Sequence, residues 1–449
     1  MDREIKLTEG NITKTLIKLA IPIMATSFVQ MAYNMMDMIW LGRVSTNAVA
    51  AAGTAGFFTW FGSSLFLIPK IGAEIGVAQS YGKDDMEAAR NYVFHTIQID
   101  IIVGLLYTLF LILFRHNLIK FFNLGDSEVI KMSTDYLVIV SFGMVFYFLN
   151  PVFSGIFNGS GNSTTPFIVN AIGLGLNVVL DPMMILGLGP FPEMGIKGAA
   201  LATIISQFIA TLIFIKISRD KLTLFCGLNI FRIPDKNYIK KIFKLGFPAS
   251  LQNGLFAMIA MVIAKIIAQW GPIPIAVQKV GSQIESISWL TAGGFSTALS
   301  AFVGQNYGAE EWDRIHEGYK KGLLIVGCIG IFATCLLIFG ARPIFRLFIP
   351  NDEEAIKEGI IYLRILGLSQ LFMTIEIATG GAFNGLGKTV PPSVVGIIFN
   401  GFRIPASLIL SSYTSLGLTG VWWSISMSSV FKGIILTLWF VNILRKIGE

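Results

Sequence analysis

Cysteine and histidine are scarce in this sequence. The three cysteines, Cys226, Cys328 and Cys335, form no CxxC pair and no metal-ligand spacing, which argues against a disulfide scaffold or a zinc site. The three histidines, His95, His116 and His316, lie far apart, so no metal centre is expected. An intramembrane enzyme needs a nucleophile–base pair or a metal site within its apolar segments, and neither is visible. Charge is scarce as well. Only 14% of residues are Asp, Glu, Lys or Arg and the mean hydropathy is +0.69, whereas a soluble domain has about 25% charged residues. Most of the chain is therefore expected to lie in lipid. The net charge of +7 fits basic cytoplasmic loops, and no nucleic-acid partner is expected. Met1–Lys18 is polar and charged, without the short apolar core and small-residue cleavage site of a removable signal.

Long apolar runs and an internal repeat take the place of what is missing. A shift of 226 positions lays Pro22 on Pro248, Gln79 on Gln305, Tyr81-Gly82 on Tyr307-Gly308 and Pro166 on Pro392. It also lays the Gly155–Gly161 segment on Gly381–Gly387. A slip of four residues then matches Gly195 and Gly198 to Gly417 and Gly420. A span needs about 20 mostly apolar residues. Candidates fall at 15–41, 49–78, 93–114, 133–157, 164–189 and 198–217, then at 241–268, 276–303, 322–340, 358–384, 391–411 and 418–443. The fold class expected is an all-α polytopic membrane protein with twelve transmembrane helices in two parallel six-helix repeats. Its parts are an N-terminal lobe over 1–218, a cytoplasmic linker over 219–239 and a C-terminal lobe over 240–449.

An even span count puts both termini and the linker on one side. The central loop, the linker with its flanking residues, carries Lys216, Arg219, Lys221, Arg232, Lys236, Lys240, Lys241 and Lys244, and the termini add Arg3, Lys6, Lys14, Lys18, Arg445 and Lys446. The positive-inside rule makes that side cytoplasmic, against which Arg342 and Arg346 weigh slightly. The repeated Gln79–Gly82 and Gln305–Gly308 segments and the glycines 159, 161, 385 and 387 then read as cytoplasmic turns, with Pro166 and Pro392 opening the next helix.

An ionisable group within a span costs at least about 2.5 kcal/mol at the centre, so each needs a reason. Asp37 falls in the first span, Asn177 and Asp181 share one face of the fifth at i,i+4, and Thr203 falls in the sixth with Ala199 one turn before it. Counted from the helix ends, these positions lie at matching depth. Two carboxylates with amide and hydroxyl oxygens can share a proton or coordinate a hard cation such as Na+; unrelated interhelical hydrogen bonds are the bland alternative. The repeat favours function, because the second half has Ile263, Arg403, Ser407 and Ile425 at the equivalents of Asp37, Asn177, Asp181 and Thr203. Pro22, fifteen residues before Asp37 in the same helix, is a candidate hinge, and a static kink repeated at Pro248 is the alternative. Lys279, Glu285 and Glu376 in the second half, with Asn34 and Asn150 in the first, are candidates for contacting a substrate. Met31, Met35 and Met38 make a pliant stripe beside Asp37.

Twelve spans in two parallel repeats, the Pro22…Asp37 helix, the Gln79-Ser80-Tyr81-Gly82 helix end and the paired Asn-Gly-x-Gly turns resemble the multidrug and toxic compound extrusion (MATE) family, over essentially the whole chain. The resemblance implies a V-shaped pair of lobes and export of organic, often cationic, compounds in exchange for Na+ or H+, with no other cofactor. In the DinF-like branch, whose ion site is in the N-terminal lobe, the site residues match Asp37, Asn177, Asp181 and Thr203, with Ala199 as the backbone-carbonyl contributor. The branch with a C-lobe site has an acid about where this chain has Phe256, so a C-lobe Na+ site is not expected. The expectation is a secondary antiporter of the cell membrane, a monomer in the lipid bilayer acting on small organic compounds. A lipid-linked oligosaccharide flippase of the same superfamily ranks below it, since Arg403 and Lys279 are the only strong candidates for a basic cavity. A non-transporting membrane sensor leaves the polar cluster unexplained.

Overall fold

A computed structural model describes residues 6–221, 223–225, 232–350 and 352–447; the side chains of Asn34, Asp220, Lys221, Thr223 and Ile447 lie outside that description, as does all of Cys226. All regular structure among the described residues is helical. In chain order the first repeat gives α1 (Ile12–Val44), α2 (Thr46–Gly82), α3 (Met86–Lys120), α4 (Ser127–Phe142), α5 (Met144–Gly159), α6 (Thr164–Ile185) and α7 (Ile196–Lys221). The second gives α8 (Lys236–Ile267), α9 (Pro272–Gly308), α10 (Trp312–Phe339), α11 (Ala341–Phe348), α12 (Glu353–Gly367), α13 (Gln370–Gly385), α14 (Val390–Ser412) and α15 (Leu418–Ile447). Helix suits lipid because every backbone polar group is satisfied within the segment. Where helices begin outside the apolar runs, short polar side chains cap them: Ser45 accepts from Ala48 N, Asp85 from Ala88 N and Asp352 from Ala355 N.

Nine helices among the described residues are long and apolar enough to cross a membrane, and two bent pairs qualify together, making eleven. α9 stands at the place of the twelfth, its apolar run interrupted by Lys279, Ser282, Gln283, Glu285 and Ser286. The spans expected at 133–157 and 358–384 are not single helices. α4 and α5 meet at 51°, and α12 and α13 at 48°. The breaks fall at equivalent positions, Gly143 and Ser369, 226 residues apart. A Cβ on Gly143 would lie 2.5 Å from the Ile204 side chain of α7, so the bend brings backbone against side chain where no larger residue fits. At Ser369 the hydroxyl bonds back to Leu366 O at 2.9 Å, which offers the backbone an alternative to continuing the helix.

The turn glycines divide into two kinds. Gly161 and Gly387 take positive φ, +89° and +71°, the conformation that closes a helix. Gly159 and Gly385 are instead packing residues: an added Cβ would lie 2.6 Å from Glu74 O of α2 and 2.6 Å from Ser300 O of α9 respectively. Gly155 likewise sits where a Cβ would be 2.9 Å from Lys70 O. Small residues spaced by four thus let α5 lie directly on the α2 backbone, the packing that membrane helices use in place of a hydrophobic drive. After α2 and α9 the left-handed residues are Asp84 and Glu310 (φ +54° and +60°), not Gly82 and Gly308.

Two compact units emerge, one spanning 25–250 and the other 6–24 together with 251–449. They differ from the lobes expected at 1–218 and 240–449 by the first halves of α1 and α8. In the second unit Gln305 Oε1 accepts from Leu7 N at 3.3 Å, and Arg314 donates to the carbonyls of Leu7, Glu9 and Gly10. In the first, a Cβ on Gly72 would meet Ile242 of α8, and His95 stacks on Tyr238 with ring centroids 5.0 Å apart. The unit boundaries at Met24 and Ser250 fall two residues after Pro22 and Pro248, the prolines inside α1 and α8. The first unit's core is built from Leu41, Ala51, Leu111, Leu137 and Phe148 toward one end and Val77, Val93, Phe153, Phe157 and Phe214 toward the other. The second is centred on Ile267, Val277, Phe345, Leu363 and Trp422.

Candidate functional site

In the first unit α1, α6 and α7 bring four of the expected residues together. Thr203 Oγ1 donates to Asp37 Oδ2 at 3.2 Å, and Asn177 Nδ2 donates to Asp181 Oδ1 at 3.0 Å. Asn177 and Asp181 are fully buried, and both stand beside Asp37. The chemistry of the set lies in what remains. Asp37 Oδ1, Asn177 Oδ1 and Asp181 Oδ2 are buried oxygens for which no donor is found among the described residues. A buried polar atom ordinarily has a partner, and two carboxylates facing one another can bond only through a shared proton or a cation. Among the described residues neither a lysine nor an arginine answers them. The cluster therefore suits a proton or a small hard cation that prefers oxygen. Among the described residues no group of three or more His, Cys, Asp or Glu gathers as a metal centre.

Two tyrosines complete the surroundings and were not singled out from the sequence. Tyr33 Oη donates to Thr203 O at 3.3 Å, and Tyr136 of α4 stands near Asp37 and Asp181. Tyr33 carried a signal, being four residues before Asp37 on the same helix face. Ala199 is fully buried in the apolar cluster with Leu41, Ile185 and Ile196. Asn150 belongs to a neighbouring junction of α5 and α7: its Nδ2 donates to Gln207 Oε1 at 2.7 Å, and Thr211 Oγ1 donates to its Oδ1 at 2.8 Å. The side chain of Asn34 lies outside the described residues.

The second unit gathers a different set. Glu376 of α13 pairs with Lys432 of α15 at 3.0 Å, both nearly buried at 13% and 8% side-chain exposure. Arg403 of α14 donates through Nε to Ser428 Oγ at 2.6 Å and through Nη2 to Ser429 Oγ at 3.3 Å, and faces both Glu376 and Glu285. Glu285 of α9 also faces Tyr362 and Gln370. Lys279 is not part of this cluster; it is exposed on α9. Lys432 escaped the sequence reading although a lysine inside an apolar span is itself a signal. Asp100 of α3 did as well: it is fully buried, with neither carboxylate oxygen bonded among the described contacts.

A duplicated bundle of apolar helices, each copy enclosing its own buried polar cluster, defines a polytopic membrane protein built from two homologous halves. Residues 22–183 and 248–409 each match the MatE family, offset by the same 226 positions, and the chain belongs to that family. It is 30% identical over 435 residues to the probable multidrug resistance protein NorM of Thermotoga maritima, covering 96% of this chain and 92% of that one. It is 25% identical to the probable multidrug resistance protein YoeA of Bacillus subtilis, covering 93% and 91%. Among solved structures, a MATE protein in the bent conformation superposes with a TM-score of 0.92 over 100% of this chain and 99% of that one, at 23% identity, a likeness of fold.

Proposed function

We propose that the protein is a secondary antiporter that exports organic, cationic or amphipathic compounds in exchange for H+ or Na+ bound at Asp37, Asn177, Asp181 and Thr203, with Ala199 supplying a carbonyl. The observation that carries this reading is the set of three buried oxygens on Asp37, Asn177 and Asp181 for which no donor is found among the described residues, held by two helices, α1 and α6, with Thr203 on a third, α7. Membership in a family whose relatives are named for multidrug resistance supports the export of diverse compounds. The protein works as a monomer in the cell membrane with both termini cytoplasmic, without a cofactor beyond the coupling ion. Asn34, Asn150, Lys279, Glu285 and Glu376 are the residues proposed to meet substrate, and Pro22 is the proposed hinge of α1.

Coupling follows from linkage. A cation shifts the balance between two states only by its difference in affinity for them. The Asp37 carboxylate is on α1 and its partners are on α6 and α7, so any rearrangement of α1 against the other two opens or closes the oxygen cluster. Binding that is tight in one arrangement and weak in the other drives the change, and a substrate with the opposite preference is expelled as the ion enters. Efflux of an organic cation from vesicles holding the purified protein, under an imposed Na+ or pH gradient, tests this. Gradient-driven efflux by wild type that disappears in Asp37→Asn supports the N-unit site and names the ion. Full coupling in the variant sinks it.

A further inference from the structure

Each repeat serves as a control for the other, and the comparison isolates one pair of charges. Glu376 is the equivalent of Asn150, and Lys432 sits on the α15 turn equivalent to the α7 turn bearing Gln207 and Thr211. In the first unit this junction is closed by neutral groups, Asn150 with Gln207 and Thr211. In the second it is closed by the Glu376–Lys432 ion pair. Burying an ion pair is no more stabilising than filling the same space with uncharged groups, because both charges lose their hydration. The fold evidently closes this junction without charges, so the pair in the second unit has a use other than holding α13 to α15.

Its surroundings indicate the use. Lys432 faces Arg403 as well as Glu376, so its ammonium is drawn to one neighbour and repelled by the other. Counted with both carboxyls ionised, Glu285, Glu376, Arg403 and Lys432 together carry no net charge. Swinging Lys432 away leaves the remaining three at minus one, which a single monovalent cation restores to zero. The lysine itself shows which group fits: an ammonium on a flexible alkyl stem, 3.0 Å from Glu376 Oε1. We propose that Lys432 is a tethered stand-in for substrate, and that Glu376 is the subsite for the positively charged group of an organic monocation, which binds by displacing Lys432. The inference rests on the export reading for the charge of the substrate and for Glu376 as a residue that meets it, and not on the ion site of the first unit.

The test is equilibrium binding of ethidium, a fluorescent monocation, to the purified full-length protein in detergent, read by anisotropy. An internal competitor lowers apparent affinity by the fraction of time it holds the site. Lys432→Met, which keeps the stem and removes the charge, should therefore tighten ethidium binding by about tenfold or more if the pair is closed over nine-tenths of the time. Adding Glu376→Gln to Lys432→Met should cancel the gain, and an uncharged dye such as Nile red should respond to neither change. Unchanged or weakened ethidium binding in Lys432→Met overturns the proposal, as does a gain that survives Glu376→Gln. If Lys432→Met is not monodisperse, the wild-type protein answers the question. Saturating ethidium should raise acylation of Lys432 by an N-hydroxysuccinimide ester, followed by peptide mass spectrometry, and an unchanged yield overturns the displacement. Equilibrium binding needs no gradient, so a failure here leaves the ion site of the first unit untouched, and a failure of gradient-driven efflux leaves this result standing.

Discussion

Replacing Asp181 with Asn removes one charge from the oxygen cluster and almost nothing of its shape. Asp181 is fully buried, with Oδ1 accepting from Asn177 Nδ2 at 3.0 Å and Oδ2 lacking a donor. An amide oxygen can keep the bond from Asn177, so the folded state loses only the difference between a charge-assisted and a neutral hydrogen bond, about 1 kcal/mol. That corresponds to a shift in melting temperature of roughly 2–4 °C for a domain of this size. The bound cation loses much more. A contact to a charged group contributes about 1.5–3 kcal/mol, so the concentration of coupling ion for half-maximal efflux should rise roughly 10- to 150-fold. Efflux measured across a series of imposed ion gradients, alongside thermal unfolding, separates the two effects. A variant with normal unfolding and a half-maximal ion concentration within about threefold of wild type, less than 1 kcal/mol of affinity, would refute the reasoning and remove Asp181 from the ion site.

Tyr33→Phe deletes the hydrogen bond to Thr203 O at 3.3 Å and should cost about 0.5–1.5 kcal/mol, seen as a shift in the ion dependence of efflux smaller than that of Asp181→Asn. Gly159→Val should destabilise the first unit by about 1–3 kcal/mol through overpacking, because its Cβ would lie 2.6 Å from the fixed Glu74 O; thermal unfolding at an unchanged midpoint would show that α5 can move away freely. His95→Phe keeps a ring over Tyr238 but loses the acceptor for Asp235 N at 2.9 Å and the contact with Asn91 O at 2.6 Å. Amide exchange at Asp235 and the first turn of α8 should then quicken by roughly an order of magnitude for about 1–1.5 kcal/mol of lost local stability, and unchanged exchange would show that the ring does not anchor that turn.

The duplication was legible because hydropathy and glycine–proline punctuation report directly on spans, and the matches at Pro22/Pro248 and Gln79/Gln305 survive in the aligned helices. The bends at Gly143 and Ser369 were not, since each lies inside an apolar run where hydropathy does not fall. Gly159 and Gly385 read as turn residues because the sequence shows a glycine without showing what approaches it; only the nearness of Glu74 O and Ser300 O separates close packing from a left-handed turn. The grouping of Asp37, Asn177, Asp181 and Thr203 could be read from i,i+4 spacing and matched depth. Asn177 bonding to Asp181 shows how far spacing alone can reach. Which residues answer the second unit's charges was hidden, because Glu376 and Lys432 are 56 positions apart and no periodicity links two helices.

On the proposed reading the two units differ in the kind of cation each cluster would hold, and antiport would need that difference. In the first, rigid oxygens of Asp37, Asn177 and Asp181 are buried with no base among the described residues near them, which favours an ion small enough to be wrapped by oxygens and excludes one with a bulky apolar body. In the second, each acid already faces a basic side chain, Arg403 or Lys432, so a bare proton or Na+ gains little there: it would have to compete with charges that bring their own hydrogen bonds. An organic cation competes on different terms, since it adds apolar contact that Na+ lacks, about 25 cal/mol for each Å² buried. Burying 100 Å² of hydrocarbon, about 2.5 kcal/mol on that scale, is enough to displace a lysine whose net ion-pair contribution is near zero. Separate clusters with separate preferences allow ion and substrate to bias the same two states in opposite directions without contending for the same carboxylate, and reciprocity then requires each to weaken the other's binding by the same factor. Ethidium affinity measured with and without saturating coupling ion, and ion affinity with and without saturating ethidium, should therefore fall by equal factors; unequal factors at equilibrium would mean that a third site takes part.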